Sequence, residues 1–379
     1  MLSQFGFVGM KWMTNIKLGE LCKSCAGQIK VEDGELIDYI DISSIDNEKK
    51  KLIGFQTMPF GESPSRARKV VKKGSILVST VRPNLNAIAV LENDTPNISV
   101  ASTGFCILDC KDDVDNRFVF NFCKSRKFID DMVSKATGAS YPAVSDKIIR
   151  SALVPNYTYE EQCNISKVLD SISDIIDKRE AELFSLDELI KARFVELFGD
   201  PVKNPKGWEV VTIGDIATEV RYGTSKPAVE GGKYPYLRMN NITSDGHLDL
   251  NDLKYIDITE DEIEKCVVRK GDVLFNRTNS IELVGKTAVF DLLDDMVIAG
   301  YIIRVRLNER ILPEVFSQYM NLEALKNILR SMAKGAVNQA NINAQELQSI
   351  KVYIPDMGAQ KKFIEIKDQV DKSKFMKSF

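Results

Sequence analysis

The chain has 379 residues, with 51 Lys and Arg against 54 Asp and Glu, a formal net charge of −3 and 44% hydrophobic residues. This composition is typical of a water-exposed globular protein of two or three domains. It excludes an overall basic nucleic-acid binder, so any DNA contact must come from local basic patches. No apolar run reaches the length that spans a bilayer, and the opening MLSQFGFVGMKW lacks a signal-peptide pattern, so we expect a cytoplasmic protein.

The first block of the chain alternates short apolar runs with turn residues. The segment VVKKGSILVST (70–80) predicts a strand, a Lys-Gly turn and a second strand. A helix is predicted over Phe118–Ser134, followed by a strand that ends at Pro155. Its 20 basic and 18 acidic residues over 13–158 leave it near neutral. This pattern indicates a mixed α/β domain.

A long helix is predicted over Glu160–Phe198, which contains neither Gly nor Pro. At about 1.5 Å per residue it would be roughly 58 Å long. Its narrow apolar seam is typical of a coiled-coil element and predicts a partner-binding surface. The residues proposed for this surface are Ile165, Leu169, Ile172, Ile176, Leu183, Leu186, Ile190, Phe194 and Leu197. With 5 basic and 11 acidic residues over 159–200, the helix favours protein rather than DNA as its neighbour.

The second block repeats the pattern of the first at an offset that drifts only from 195 to 198 residues. Five segments align in order: KWMTNIKLGELC (11–22) with KGWEVVTIGDIA (206–217), DYIDIS (38–43) with PYLRMN (235–240), VVKKGSILVST with VVRKGDVLFNR (267–277), SKATGAS (134–140) with SMAKGAV (331–337), and EEQCNISKVLDSI (160–172) with GAQKKFIEIKDQV (358–370). A helix over Pro313–Ala333 and a C-terminal helix from about Gly358 complete this copy. We therefore predict globular domains at 1–158 and 201–356, each followed by a helix, at 159–200 and 357–379.

The duplication predicts an antiparallel pairing of the two helices, with the globular domains related by a pseudo-twofold axis. Two readers held apart in this way suit DNA, where half-sites about one turn (roughly 34 Å) apart are read by twofold-related modules. The C-terminal helix is the shorter, so we expect Leu183 to Leu197 to lack an intramolecular partner and to be covered by another protein or a second copy.

These motifs resemble the specificity subunit of type I restriction–modification systems. The resemblance rests on GWEVVTIGDI, PYLRMNNI, KGDVLFNRTNS with ELVGKTAVF, GAVNQANINAQELQSIKVYIP and the helix ending RFVELFGDP. It implies two target-recognition domains that read a bipartite, asymmetric DNA sequence, and no catalysis by this chain alone. The implied partners are double-stranded DNA, two methyltransferase subunits and restriction–translocase subunits. Cofactors (S-adenosylmethionine, ATP and magnesium) would belong to those subunits and not to this chain.

Candidate DNA-contacting residues lie on two loops in each block, where amide, hydroxyl and guanidinium groups can read base edges. The base-reading candidates are Ser79, Thr80, Arg82, Asn84, Ser140 and Tyr141 in the first block, and Asn276, Arg277, Thr278, Asn279, Asn338, Gln339 and Asn341 in the second. The candidate phosphate anchors are Arg66, Arg68, Lys72, Lys73, Arg238, Arg269, Lys270 and Lys286. Solvated turns are the alternative reading of the same loops, because Asn, Ser and Gly collect there for conformational reasons.

The sequence leaves two other classes of function open. A stand-alone nuclease or methyltransferase has weak support, because the Asp356, Glu365 and Lys367 pattern lies partly on a predicted helix and no NPPY-like motif or phosphate loop is found. Cys22 and Cys25 with Cys106 and Cys110 could suggest zinc, but the second block has no cysteines at the equivalent positions, so we expect no metal. An interaction scaffold that no longer binds DNA is the remaining alternative.

Overall fold

The computed structural model describes residues 14–24, 32, 34–336 and 339–376. The chain divides into two compact units, and the boundary falls between Asp177 and Lys178, within the long helix. Both units combine helices with sheets, so the predicted mixed α/β fold is confirmed.

The first unit contains a four-stranded sheet, a three-stranded sheet and two pairs of strands. Its elements in chain order are β1 (Asn15–Lys17), α1 (Leu18–Leu21), β2 (Leu36–Ile40), β3 (Ile45–Asp46), β4 (Lys51–Leu52), β5 (Gln56–Pro59), β6 (Ala67–Val70), β7 (Ile76–Ser79), β8 (Ile88–Val90), β9 (Ile98–Ser102), β10 (Phe105–Leu108), α2 (Asn116–Lys124), α3 (Arg126–Lys135), α4 (Asp146–Arg150), β11 (Leu153–Pro155) and the start of α5 (Tyr159–Phe198). One sheet has the order β5-β2-β9-β6 and the other β10-β7-β8, while β1 pairs with β11 and β3 with β4.

The second unit repeats this construction after α5. Its elements are β12 (Glu209–Thr212), α6 (Ile213–Ile216), β13 (Ala217–Tyr222), β14 (Tyr234–Leu237), β15 (Lys254–Ile256), α7 (Glu260–Cys266), β16 (Val267–Val268), β17 (Val273–Asn276), β18 (Thr278–Asn279), β19 (Thr287–Val289), β20 (Met296–Ile298), β21 (Ile302–Leu307), α8 (Pro313–Asn321), α9 (Glu323–Met332), β22 (Lys334–Ala336), β23 (Gln339–Asn341), α10 (Ala344–Ser349), β24 (Lys351–Ile354) and α11 (Met357–Met376). Its sheets have the orders β13-β21-β17-β19, β15-β14-β20-β16 and β18-β23-β22.

Corresponding strands pair in the same way in the two units, as a duplicated sequence predicts. The first strand pairs antiparallel with the last in both, β1 with β11 and β12 with β24. A parallel pair lies inside one four-stranded sheet of each unit, β2 with β9 and β14 with β20. The repeat found in the sequence is therefore a repeat of topology.

The two glutamines that the repeat aligns make the same contact in each unit. Gln162 is buried, and its Oε1 accepts a hydrogen bond from the N–H of Asp115, the residue before α2. Gln360 is buried, and its Oε1 accepts one from the N–H of Leu312, the residue before α8, at 2.8 Å. Each glutamine thus ties the start of the long or C-terminal helix to the start of another helix in its own unit, which satisfies a backbone donor that a helix leaves free.

The two helices predicted in the globular blocks are each interrupted. The chain breaks at Ser125 between α2 and α3, where the Ser125 side chain accepts a hydrogen bond from Phe128 and starts a new helix. It breaks again at Leu322 between α8 and α9. The prediction of a single continuous helix is therefore wrong in both units, since each consists of two helices. The sequence does not show the break because the apolar spacing continues through it.

Helix α11 covers the C-terminal part of α5. The prediction that Leu183 to Leu197 would be uncovered is therefore wrong from Leu186 onward, whereas Leu183 is 38% exposed. Phe194 and Phe198 are fully buried and their rings contact Phe363 on α11, while Lys374 forms an ion pair with Asp187 at 2.5 Å. Because residue numbers rise along α11 as they fall along α5, the helices run antiparallel. The start of α11 lies against the C-terminal end of α5, so the short helix α11 covers only that end.

The part of α5 that belongs to the first unit is anchored at its beginning and exposed further on. The Ser166 hydroxyl lies 2.8 Å from Oδ1 of Asp115, and Ile165 packs on the core of this unit. Arg117 on α2 forms a two-bond contact with Asp170, with both N–O distances at 3.0 Å. From Val168 onward, on both sides of Asp170, an apolar stripe is between 41% and 61% exposed; its members are Val168, Leu169, Ile172, Ile175 and Ile176.

Candidate DNA-binding site

The two candidate loops of the first unit meet at a short backbone bridge. Val81, just after β7, pairs with Ala143, and the N–H of Arg82 donates to the carbonyl of Pro142 at 2.7 Å. Arg82 has a positive φ of 47°, which turns the chain sharply at this point. The loops that the sequence placed sixty residues apart therefore form one continuous surface.

The second unit joins its loops at the corresponding place. Strand β18 pairs with β23 through Thr278 and Asn341, and the N–H of Ile342 donates to the carbonyl of Arg277 at 2.9 Å. Thr278 and Asn341 follow Val81 and Ala143 by 197 and 198 residues, which is the offset of the repeat. The same framework thus presents different side chains in the two units.

Several base-reading candidates are buried, so their side chains face the protein rather than solvent. The Ser79 and Thr80 hydroxyls donate to the carbonyls of Val81 and Gly104, both at 2.9 Å. Asn276 is fully buried beside the Met239 carbonyl, and buried Thr278 contacts Asn341. The prediction that these four side chains lie on the surface is wrong, because β7 and β17 are buried along their whole length and Thr80 and Thr278, just beyond them, are buried as well.

The remaining candidates lie at or near the surface. Arg82, Asn84, Ser140 and Tyr141 are exposed in the first unit, and Arg277, Asn279 and Asn341 are partly exposed in the second. The Asn279 side chain accepts a hydrogen bond from the Ser280 N–H. Asn338 and the side chain of Gln339 lie outside the described residues. A DNA-contacting role for the accessible set stays a prediction.

An arginine lies over a tyrosine ring in each loop surface. The Arg82 Cζ is 4.8 Å from the ring centroid of Tyr141, and the Arg277 Cζ is 5.0 Å from that of Tyr222. Tyr222 was not predicted as a site residue. It ends β13, 55 residues before Arg277 in the sequence, and no spacing rule connects a strand-end tyrosine to a distant loop.

Three of the candidate phosphate anchors are already ion-paired with nearby carboxylates. Arg66 contacts Asp41 at 2.6 Å and Arg238 contacts Asp252 at 2.7 Å. Arg269 contacts Glu264 at 2.6 Å and Asp295 at 3.2 Å, and its pKa is raised mainly by the hydrogen bond to Glu264. A phosphate would have to displace these partners.

The remaining anchors differ in their surroundings. Lys72, Lys73 and Lys270 are exposed, and Arg68 lies 5.8 Å over the ring of Phe60. No ion pair joins these four to a carboxylate in the described part of the chain. They are therefore the cations best placed to attract a phosphate backbone.

Lys286 is buried, so its prediction as a phosphate anchor is wrong. Its ammonium donates to the carbonyl of Met239 at 2.9 Å and to that of Ile242. Burial lowers the pKa of this amine. Lys286 thus holds the loop after β14 in place, a role that its position before β19 could not reveal in the sequence.

The nuclease-like pattern does not form a cluster. The Asp356 side chain accepts the Ala359 N–H at the start of α11, and Lys367 forms an ion pair with Asp371. Among the described residues no group of three or more His, Cys, Asp or Glu is arranged to hold a metal. Cys22 faces Cys110 across an isolated bridge in the first unit, and Cys25 lies outside the described residues.

Across the same described ranges, no helix is long and apolar enough to cross a membrane.

Parts of the chain are similar in sequence to known proteins. The family described as type I restriction modification DNA specificity domain matches residues 205–377. The chain is 24% identical to the EcoKI specificity subunit of Escherichia coli K12 over 269 residues, 67% of this chain and 58% of that protein. It is 32% identical to the putative MjaX specificity subunit of Methanocaldococcus jannaschii over 171 residues, 44% of this chain and 40% of that protein. The matches thus span between about two fifths and three fifths of these relatives.

Solved structures share the fold over most of the chain. A chain from a structure on complex assembly and conformational transition of the type I R-M system covers 96% of this chain and 92% of its own length, with a TM-score of 0.56 and 23% identity. The type I restriction–modification S subunit of M. genitalium covers 96% of this chain and 90% of its own length, with a TM-score of 0.51 and 15% identity. These structures show the fold, and the sequence of residues 205–377 matches a DNA specificity domain. The chain is similar to type I restriction specificity subunits, which is the resemblance that its motifs indicated.

Proposed function

We propose that this chain is the DNA-reading specificity subunit of a type I restriction–modification complex and has no catalytic activity alone. Each unit would read one half of a bipartite, asymmetric DNA target. Methyltransferase and restriction–translocase subunits would bind the same chain and supply S-adenosylmethionine, ATP and magnesium chemistry. The named relatives support this class, since each is called a specificity subunit.

The observation that carries the proposal is one framework with two sets of loop residues. The joined loops present Arg82, Asn84 and Tyr141 in one unit and Arg277, Asn279 and Asn341 in the other. Identical modules would read a palindrome, whereas different side chains on equivalent loops favour two unrelated half-sites. The common framework supports the same docking geometry of each unit on DNA. The different loop residues support recognition of a different base sequence by each unit.

Local cations can supply the affinity that the net charge does not. The exposed lysines Lys72, Lys73 and Lys270 flank the strand that leads into the reading loop of each unit. Phosphate contacts of this kind position a protein on DNA without reading sequence. Binding should therefore weaken steeply as salt concentration rises.

The exposed stripe on α5 is the proposed contact for a methyltransferase subunit. Its residues lie on both sides of Asp170, which forms an ion pair with Arg117 on α2. A run of five exposed aliphatic side chains on one helix is larger than the isolated apolar residues of an ordinary surface. The acidic residues around it make DNA an unfavourable neighbour for this helix.

A block exchange tests the proposal directly. Residues 208–355 are replaced by the corresponding block of a related specificity subunit, and the complex with methyltransferase is used to map methylated adenines in DNA. We expect one half-site to change and the other, with the intervening gap, to persist. A change in both halves, or a single continuous palindromic site for the parent protein, would contradict modular reading.

The alternative functions give different outcomes in simpler assays. A cryptic enzyme would cleave or methylate DNA when the pure chain is incubated with S-adenosylmethionine and magnesium, and turnover without partners would overturn the proposal. A scaffold without DNA binding would show weak association that does not depend on salt. Neither alternative has a specific contact in its favour.

A further inference from the structure

The reading surfaces of the two units share an arginine–tyrosine stack that the repeat itself does not encode. Arg82 and Arg277 both follow the strands that correspond in the two units, β7 and β17. Their tyrosines come from unrelated elements, because Tyr141 lies on the loop before α4 and Tyr222 ends β13. The same arginine–tyrosine contact thus occurs in both units although different elements supply the tyrosine. This indicates that both units need an arginine with a fixed plane at this surface.

These arginines differ from the ion-paired ones in having no carboxylate partner among the described residues. The Arg82 side chain is exposed and makes no hydrogen bond within that part of the chain. Arg277 has one long contact, from Nη1 to the carbonyl of Gly300 at 3.4 Å, and its buried Nε has no partner there. Their charge and terminal N–H groups are therefore available to a ligand, unlike those of Arg66, which contacts Asp41.

A backbone contact holds the Tyr222 ring, and another fastens the loop that carries Tyr141. The Tyr222 hydroxyl accepts a hydrogen bond from the N–H of Ala344 at 2.7 Å, while its side chain remains 43% exposed. Tyr141 is 70% exposed, and its loop is fastened by the Arg82 N–H to the Pro142 carbonyl. A guanidinium stacked on a held ring loses less rotational freedom when it binds, because its plane is already set.

We propose that each unit recognises one guanine through this stacked arginine, Arg82 on Tyr141 in the first and Arg277 on Tyr222 in the second. The inference rests on the proposed DNA-reading function and specifies its chemistry. Guanine presents O6 and N7 side by side in the major groove, and their spacing matches the two-pronged donor of arginine. The tyrosines are positioning residues, since they set the plane of the fork and make no base contact themselves.

Selection from a randomised duplex DNA library tests the proposal with the full chain. The parent protein should select two half-sites, each with one strongly preferred G·C pair. R277K should relax that preference in one half-site only, and R82K in the other, because lysine keeps the charge but loses the planar fork. K270A is the matched control, and it should weaken binding to all selected sequences alike.

Modified guanines then identify the atoms that are read. Replacing the preferred guanine by 7-deazaguanine removes the N7 acceptor and should weaken binding of the parent on the order of tenfold or more. The same DNA should cause little further loss for the corresponding lysine variant. Hypoxanthine, which retains O6 and N7, should bind like guanine, since only the minor-groove amino group is lost.

The tyrosines are tested by their ring and hydroxyl separately. Y141A and Y222A should reduce discrimination between guanine and 7-deazaguanine in their own half-site, whereas Y141F should retain it because the ring is intact. Thermal unfolding of every variant checks that the fold persists, and exposed Arg82 gives a variant whose folding should not change.

Different outcomes would contradict the DNA-reading function and the role of the stacked arginines. A parent protein that selects no sequence would overturn the DNA-reading function and this proposal together. Selected half-sites whose guanines are indifferent to R82K and R277K would overturn the stacked-arginine proposal alone. Uniform weakening by R82A or R277A, with a shallower salt dependence and an unchanged base preference, would make these arginines phosphate contacts and would also overturn it.

Discussion

The Phe194 ring packs edge to face against the ring of Phe363, with centroids 5.3 Å apart, and this contact fastens α11 to the C-terminal part of α5. Phe198 contacts the same ring from the next turn, at 5.6 Å. All three rings are fully buried. The apolar seam of the long helix is thus divided between a covered end and an exposed stretch.

Truncation of Phe363 should therefore destabilise the second unit. F363A is expected to lower the free energy of unfolding by about 3–5 kcal/mol, because it removes a buried aromatic ring and leaves a cavity. Urea denaturation followed by far-UV circular dichroism measures this. F184A is the matched control on α5, since Phe184 is 65% exposed and its removal should change stability by only about 0.5 kcal/mol or less. Equal effects of the two variants would contradict the packing described.

The exposed stripe on α5 should matter for partner binding and little for folding. The double variant I172E/I176E is expected to keep the parental unfolding midpoint, because both side chains are about half exposed. Recovery of co-expressed type I methyltransferase subunits with the chain should fall, since charges placed in an apolar contact must be desolvated. V195E supplies an exposed substitution on α5 outside the stripe. Undiminished recovery with I172E/I176E would exclude the stripe as the contact.

Lys286 should make stability depend on pH in the alkaline range. Its pKa is lowered in the folded protein by burial, so the unfolded chain binds more protons at pH values just below the ordinary 10.5. The free energy of unfolding then rises with pH over that interval. We expect the stability of the parent relative to K286M to increase from neutral pH towards pH 10. Parallel stability curves for the two proteins would show that Lys286 titrates normally.

Lys270 and Lys286 should differ in their effect on DNA binding. K270A is expected to reduce the slope of log affinity against log salt by about 1, as the loss of one phosphate contact does. K286M should leave that slope unchanged, because its amine faces the Met239 and Ile242 carbonyls rather than solvent. Fluorescence anisotropy at several salt concentrations measures both. A reduced slope for K286M would indicate that the loop it holds opens on DNA.

Local patterns in the sequence were sufficient for the repeated framework. The alignment of Gln162 with Gln360 predicted equivalent places in two copies, and both side chains accept a hydrogen bond from the residue before a helix. Absence of Gly and Pro predicted the long helix, which spans Tyr159–Phe198. Such features depend on residues close in sequence, where periodicity and capping operate.

The same patterns could not decide which side chains are buried at the reading loops. Asn276 and Arg277 are neighbours of similar polarity, yet Asn276 is fully buried and Arg277 lies partly exposed on Tyr222. The difference arises because β17 is buried along its whole length and ends at Asn276, whereas Arg277 lies just beyond it, where a distant strand supplies the ring.

The sequence by itself determined the duplication, the mixed α/β class, the long helix and the family resemblance, because each is written in local spacing or in the order of motifs. Only the tertiary structure decided that Phe363 covers Phe194, that Lys286 is buried and that Tyr222 lies under Arg277. Those contacts join segments far apart in the chain, and a residue's exposure depends on which distant surface packs against it.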